Sequence, residues 1–166
     1  DRVQDIRRDS LEYEVSLFKD QKRSFEKYSI DPDINGQFYI ESQEGRDSDV
    51  EAEYVNVLFS LNSDLITFGD VYLIGEFNNW EINENYKLIY DFKQNLYSKK
   101  VNLKQGYYNY HYAIKDSSIN FLDVASIEGT HYQTRNNYQI YVYFKDFNDR
   151  YEKLIGFTKE MSKELF

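Results

Sequence analysis

Apolar residues alternate with polar ones at a period of two along most of this chain. From Tyr54 to Leu61, Val55, Val57, Phe59 and Leu61 share one face, and Asn56 and Ser60 the other. Tyr108, Tyr110, Tyr112 and Ile114 likewise oppose Tyr107, Asn109 and His111. In a third stretch Tyr138, Ile140, Val142 and Phe144 oppose Gln139, Tyr141 and Tyr143. A period of two is a strand signature, because successive side chains point to opposite faces of a sheet. Composition agrees. The 17 Tyr and 12 Phe suit pleated, half-buried surfaces, whereas helix-favouring alanine occurs only at Ala52, Ala113 and Ala125. Shorter alternations fall at Leu11–Leu17, Phe38–Ile40, Val71–Leu73, Leu88–Tyr90 and Leu96–Leu103.

Nine or ten strands of this length, joined by short polar links, predict an all-β sandwich. Its expected core is Val55, Val57, Phe59, Leu73, Tyr110, Tyr112, Ile140 and Val142, with helix below about a tenth of the chain. Asn35-Gly36 supplies the positive-φ pair of a tight hairpin, and Gly106 and Gly129 mark further breaks. The polar run Arg46–Asp49 is the best boundary. It divides the chain into an N-terminal β extension or part of a preceding subdomain (1–48), whose strands should add beside the sandwich, the sandwich itself (49–158) and a tail (159–166), and Thr158–Phe166 can be read as a short helix.

Charge and residue inventory narrow the function classes. The chain has 166 residues, 29 acidic against 20 basic, for a net charge of −9. Such a field repels phosphate, so neither nucleic acid nor an anionic membrane is an expected partner. Without cysteine there is no thiol catalysis, disulfide or Cys-ligated metal. No apolar stretch approaches the roughly 18–20 residues of a membrane helix. The chain opens at Asp1 rather than at a start Met, as a mature form or a fragment would.

Few constellations carry chemistry. Asp31, Asp33, Asn35 and Gly36 copy the first half of a calcium loop, but its twelfth position is Ser42 rather than a bidentate Glu. An Asx-stabilised turn without calcium is expected there. His111 and His131 are too few and too far apart for a metal site or an acid–base pair. No nucleophile elbow and no phosphate loop is present. Arg150 reads as a structural ion-pair or packing group. The turn Gly75-Glu-Phe-Asn-Asn-Trp80 offers an aromatic ring beside amides, which suits stacking on a sugar; the alternative is that Phe77 and Trp80 plug one end of the sandwich. Tyr141 and Tyr143, opposite a buried Ile140 and Val142, would form an exposed aromatic patch of the kind that marks partner surfaces.

Two resemblances rest on longer runs. Val71-Tyr-Leu-Ile-Gly-Glu-Phe-Asn-Asn-Trp80, followed by Gly106-Tyr-Tyr-Asn-Tyr110, resembles the early-set, immunoglobulin-like modules that accompany glycogen-active enzymes. That resemblance implies a glycan site at Trp80, Asn78 and His111, where His111 stands at the position of the modules' Lys. Lys115–Asn120 offers no second Trp. The second resemblance runs in order through Asp31–Phe38, Asp49–Phe59, the Gly75 turn, Leu103–Tyr110, Glu128–Tyr138, Tyr141–Tyr143 and Arg150–Gly156. This set resembles the carboxy-terminal portion of the plug-protein family of the type IX secretion system of Bacteroidota. It implies a non-enzymatic periplasmic subunit at the inner face of the outer membrane. Its partner would be the translocon β-barrel, with no cofactor, no small-molecule substrate and no membrane insertion of its own. Tyr141 and Tyr143 are the candidate contact residues.

Overall fold

The computed structural model describes residues 2–9, 12–28, 34, 36–41, 52–116, 118, 121–134 and 136–162. The expected calcium-like loop at Asp31, Asp33 and Asn35, and the boundary at 46–49, lie outside them. The structure is mostly β, with 54% strand and 7% helix. It divides into two compact units, 1–130 and 131–166.

The first unit is the all-β sandwich. One sheet has the order β1-β2-β5-β8-β7: β1 is Val3–Asp9, β2 Glu12–Leu17, β5 Tyr54–Asn62, β7 Ile89–Asp91 and β8 Leu96–Lys104. The two-residue strand β3 (Asp20–Gln21) also pairs with β5. A second sheet has the order β11-β10-β6, formed by Leu122–Asp123, Tyr110–Asp116 and Gly69–Gly75. A small ribbon joins β4 (Phe38–Ile40) to β9 (Gly106–Tyr108).

The alternation explains the layers. Phe59 and Leu61 from β5, and Tyr97, Val101 and Leu103 from β8, meet Val71, Leu73, Tyr112 and Ile114 from the second sheet in one buried cluster. Burying each such side chain contributes roughly 1.5–3 kcal/mol. Even-numbered β6 residues point the other way. Tyr72 and Ile74, with Ala113, form a second cluster covered by Ile82, Leu122 and Val124. Buried tyrosine hydroxyls find partners: that of Tyr72 donates to Glu84 (2.6 Å), and that of Tyr97 accepts the Ile66 N–H (2.8 Å).

The strands before residue 48 add to the sandwich: β2 pairs in parallel with β5 over Glu14–Ser16, and β4 pairs with β9. One expectation about organisation changes. Residues 131–166, expected partly in the sandwich and partly in a helical tail, cluster apart. There β12 (Asn137–Phe144) pairs with β13 (Lys153–Met161), so residues 159–161 are strand rather than helix. The ladder of that hairpin recruits the aromatic Phe157 and the β-branched Thr158, opposite Tyr141 and Ile140.

Candidate functional site

Local geometry at the Gly75 turn distributes its aromatics unexpectedly. Glu76–Asn78 form a single 3-10 turn. An added Cβ at Gly75 would sit 2.5 Å from the Phe77 ring and 2.8 Å from the Asn109 carbonyl, so the turn accepts no larger residue there. Phe77 folds inward, with its ring 6.4 Å from that of Phe59 and 5.4 Å from that of Tyr86. Phe77 therefore plugs the sandwich, and Trp80 does not. Asn79 and Trp80 both adopt left-handed backbone, at φ 56° and 58°. That turn swings the indole onto the outer face of β10, where it stacks on His111 with 5.4 Å between centroids and 30° between planes. The ring stays 38% exposed. Gly36 approaches its benzo edge, where an added Cβ would lie 3.1 Å from Cζ2.

The three residues of the glycan alternative are thus partly brought together. Trp80 and His111 touch. Asn78 is buried and committed: its Oδ1 accepts the Gly75 N–H, and its Nδ2 donates to the Leu73 carbonyl, each at 3.0 Å. Its amide is turned inward, away from any ligand. Burial lowers the His111 pKa, while the Glu128 charge raises it and that of Arg23 lowers it. The net effect favours the neutral imidazole.

A polar cluster that the alternation does not reveal lies at the N-terminal side of the sandwich. Asp20 Oδ2 accepts hydrogen bonds from the hydroxyls of Tyr110 (3.0 Å) and Tyr112 (2.7 Å), and Arg2 pairs with Oδ1. Burial, then the Asp20 charge, pushes both phenols up from their ordinary pKa. Beside them Glu128 accepts the Tyr112 N–H at 2.9 Å and two Arg23 bonds at 3.0 and 2.7 Å. The Arg23 N–H in turn donates to the Ile127 carbonyl at 2.7 Å. Asp20 takes three donors, so little of it is left to act as a base. The cluster fastens residues 2–23 to β10. Tyr110 and Tyr112 on a core-facing strand signal that two buried hydroxyls need acceptors; nothing in the sequence points to Asp20 as the one that serves both.

The second unit places Tyr141 and Tyr143 as expected and their neighbours otherwise. Tyr141 and Tyr143 are 49% and 57% exposed. Ile140 and Val142, expected in the core, are 56% and 47% exposed. The reason is architectural: a two-stranded ribbon has two faces and no second layer of its own. Tyr141 packs on Phe157 with centroids 5.0 Å apart, and its hydroxyl donates to Gln139 Oε1 at 2.5 Å. Leu154 stands opposite Tyr143, just past a bulge that shifts the register between Val142 and Tyr143. At the far end Asp149 pairs with Lys153 at 2.7 Å. Arg150, expected as a structural ion-pair or packing group, is exposed and enters no ion pair among the described residues.

Charge separates the two units as well. Residues 1–130 carry 14 basic against 24 acidic residues, net −10; residues 131–166 carry 6 against 5, net +1. The hairpin is thus a nearly neutral, aromatic ribbon, and the sandwich holds the acidity. Among the described residues, no group of His, Cys, Asp and Glu could hold a metal ion. Among the described residues, no helix is long and apolar enough to cross a membrane.

No family model matches the chain, and no curated protein does. Among solved structures it is similar to a hypothetical protein from Parabacteroides merdae ATCC 43184, whose crystal structure is at 2.30 Å resolution. The TM-score is 0.89 and the identity 38%, over 97% of this chain and 41% of that one. The chain therefore spans well under half the length of the protein it matches.

Proposed function

We propose that this chain is a non-enzymatic protein-interaction module, the periplasmic plug of the type IX secretion translocon, bearing an early-set immunoglobulin-like sandwich. One observation carries the reading. The hairpin Asn137–Met161 presents Tyr141 and Tyr143, with Phe157 against Tyr141, on a nearly neutral surface. Rigid exposed aromatics supply contact area at low entropic cost, and a strand is a stiffer platform than a loop. A steric plug needs such a surface and no catalytic constellation, cofactor or nucleic-acid groove. The ordered resemblance from Asp31 to Gly156 supports the same assignment, and so does the Bacteroidota source of the similar structure. In this reading the plug sits at the inner face of the outer membrane and contacts the translocon β-barrel through the hairpin.

The carbohydrate-binding alternative keeps Trp80 and His111 but loses the Asn78 amide, and one face of the indole already rests on the imidazole. Affinity purification of the full-length protein from its native envelope separates the two readings. Recovery of a very large outer-membrane β-barrel supports the plug. Recovery of glycan-active enzymes alone, without the barrel, overturns it.

A further inference from the structure

The main sheet of the sandwich ends on one side at β1, and among the described residues β2 is the one strand that pairs with it. The two faces of β1 differ. On the core side an apolar row crosses the sheet in register: Val101, Val57, Val15 and Ile6 stand side by side on β8, β5, β2 and β1. Val101 is buried, whereas Ile6, at the rim, is 61% exposed. On the opposite side stand Asp5 and Arg7, and Arg7 Nε donates to Asp5 Oδ2 at 2.7 Å. Both side chains remain open to solvent, at 77% for Arg7 and 46% for Asp5. Glu14, across the ladder from Arg7, is engaged by Lys100. β1 therefore presents an exposed isoleucine and a balanced set of charges, at the rim of a unit whose net charge is −10.

Charged side chains on an edge strand deter pairing, because a foreign strand leaves them unmatched. This edge is matched by its own sequence. Two copies laid antiparallel about a twofold axis at Ile6 set Asp5 of each across from Arg7 of the other, while Ile6 meets its own counterpart. The neighbouring registers fail: a twofold at Asp5 sets Asp5 against itself, and one at Arg7 sets Arg7 against itself. Opposite charges directly across a ladder stabilise it and like charges destabilise it, so the pattern selects one register. The pair within each copy need not break, since a carboxylate accepts and a guanidinium donates more than one hydrogen bond. The β-branched row then runs unbroken from Val57 of one copy, through the two isoleucines, to Val57 of the other.

We propose that β1 is a docking edge for a second copy of this chain, whose own β1 adds antiparallel and joins the two main sheets into one. An edge contact of this length buries little area, so the dimer is weak and concentration-dependent. The proposal rests on β1 and does not depend on the plug assignment.

Sedimentation velocity on the full-length protein, over a range of concentrations, tests it. The unaltered protein is expected to dimerise reversibly. Asp5→Arg and Arg7→Asp each set like charges across the twofold, and each should weaken self-association at least about tenfold. An equimolar mixture of these two single variants should dimerise again, and so should the double swap Asp5→Arg/Arg7→Asp by itself. Tyr141→Ala/Tyr143→Ala should leave the dimer unchanged. The register has its own readout, because the chain has no cysteine. Oxidation should cross-link Ile6→Cys into a dimer, since directly opposed residues lie about 5 Å apart at Cα, within disulfide reach. Arg8→Cys should stay monomeric, its two copies being roughly 13 Å apart along the strands. A monomer at every concentration, single variants that dimerise as the unaltered protein does, or a mixture that stays monomeric overturns the proposal. So does cross-linking through Arg8→Cys as readily as through Ile6→Cys, or a dimer that the tyrosine double variant dissolves.

Discussion

Strands β5 and β12 are close to one another in pattern and opposite in fate. Both alternate, both are aromatic and β-branched, and both pair antiparallel along their length. In β5 the inward residues Val55, Phe59 and Leu61 fall to 7%, 2% and 0% exposure. In β12 the equivalent Ile140 and Val142 stay at 56% and 47%, about as exposed as Tyr141 at 49%. The difference is the layer above. β5 lies under the second sheet, whereas β12 has a ladder partner and nothing stacked on it within its own unit. Alternation therefore announces a strand with two unlike faces, and only tertiary structure decides whether one of them is covered.

The largest expected contrast lies in core truncation. Leu73→Ala should cost about 2–5 kcal/mol in urea unfolding, because its site cannot collapse around the missing atoms. Ile140→Ala should stay within about 0.5 kcal/mol, as exposed substitutions do. Comparable losses at the two sites would mean that the hairpin is buried in solution, and the comparison would fail.

Polar contacts sharpen the same contrast. Asp20→Ala strands two buried phenols and Arg2, so a loss of about 1–3 kcal/mol is expected. Asp149→Ala removes a surface ion pair in the hairpin and should cost about 0–1 kcal/mol. Equal effects in chemical denaturation would show that the Asp20 cluster is not what fastens residues 2–23.

At Trp80 two effects separate. Loss of the stack on His111 should cost about 0.5–1.5 kcal/mol. Trp80→Gly should be milder than Trp80→Ala by about 1 kcal/mol, since glycine tolerates φ 58° and alanine does not. The reverse order in thermal melting would contradict the left-handed turn.

The smallest effect concerns pH. Burial lowers the folded-state pKa of His111, so the unfolded chain binds the proton more readily. Its contribution to stability is present above the unfolded value of about 6.5 and is lost as pH falls through the folded value. His111→Gln should flatten that slope between neutral and mildly acidic pH. An unchanged slope would show that other groups set it.

Much of the sandwich was legible from residues. Strands with strong alternation, such as Tyr54–Asn62 and Asn137–Phe144, appear where the pattern puts them. β1 did not announce itself, because Val3–Asp9 carries two arginines and two aspartates in seven residues. Its pairing with β2, not its propensity, makes it a strand. β13 was hidden for another reason: Lys159 and Glu160 near its end suit a helix as well as a strand, and the β12 ladder decides. The choice between the two placements of Trp80 was not legible, because a bulky residue rarely takes positive φ and no pattern predicts the turn that lifts its ring outward. The exposure of Tyr141 and Tyr143 was legible, yet through a premise that failed, since it does not come from a buried face behind them.

The central claim assigns partner capture to the hairpin and structural integrity to the sandwich. Its most direct test measures binding of the detergent-solubilised translocon barrel to the full-length protein, unaltered and as Tyr141→Ala/Tyr143→Ala, alongside the melting temperature of each. Loss of aromatic residues at an interface centre commonly costs 2 kcal/mol or more, so capture should weaken at least about tenfold. The melting temperature should barely move. Undiminished capture by the double variant, or its unfolding, would contradict the claim.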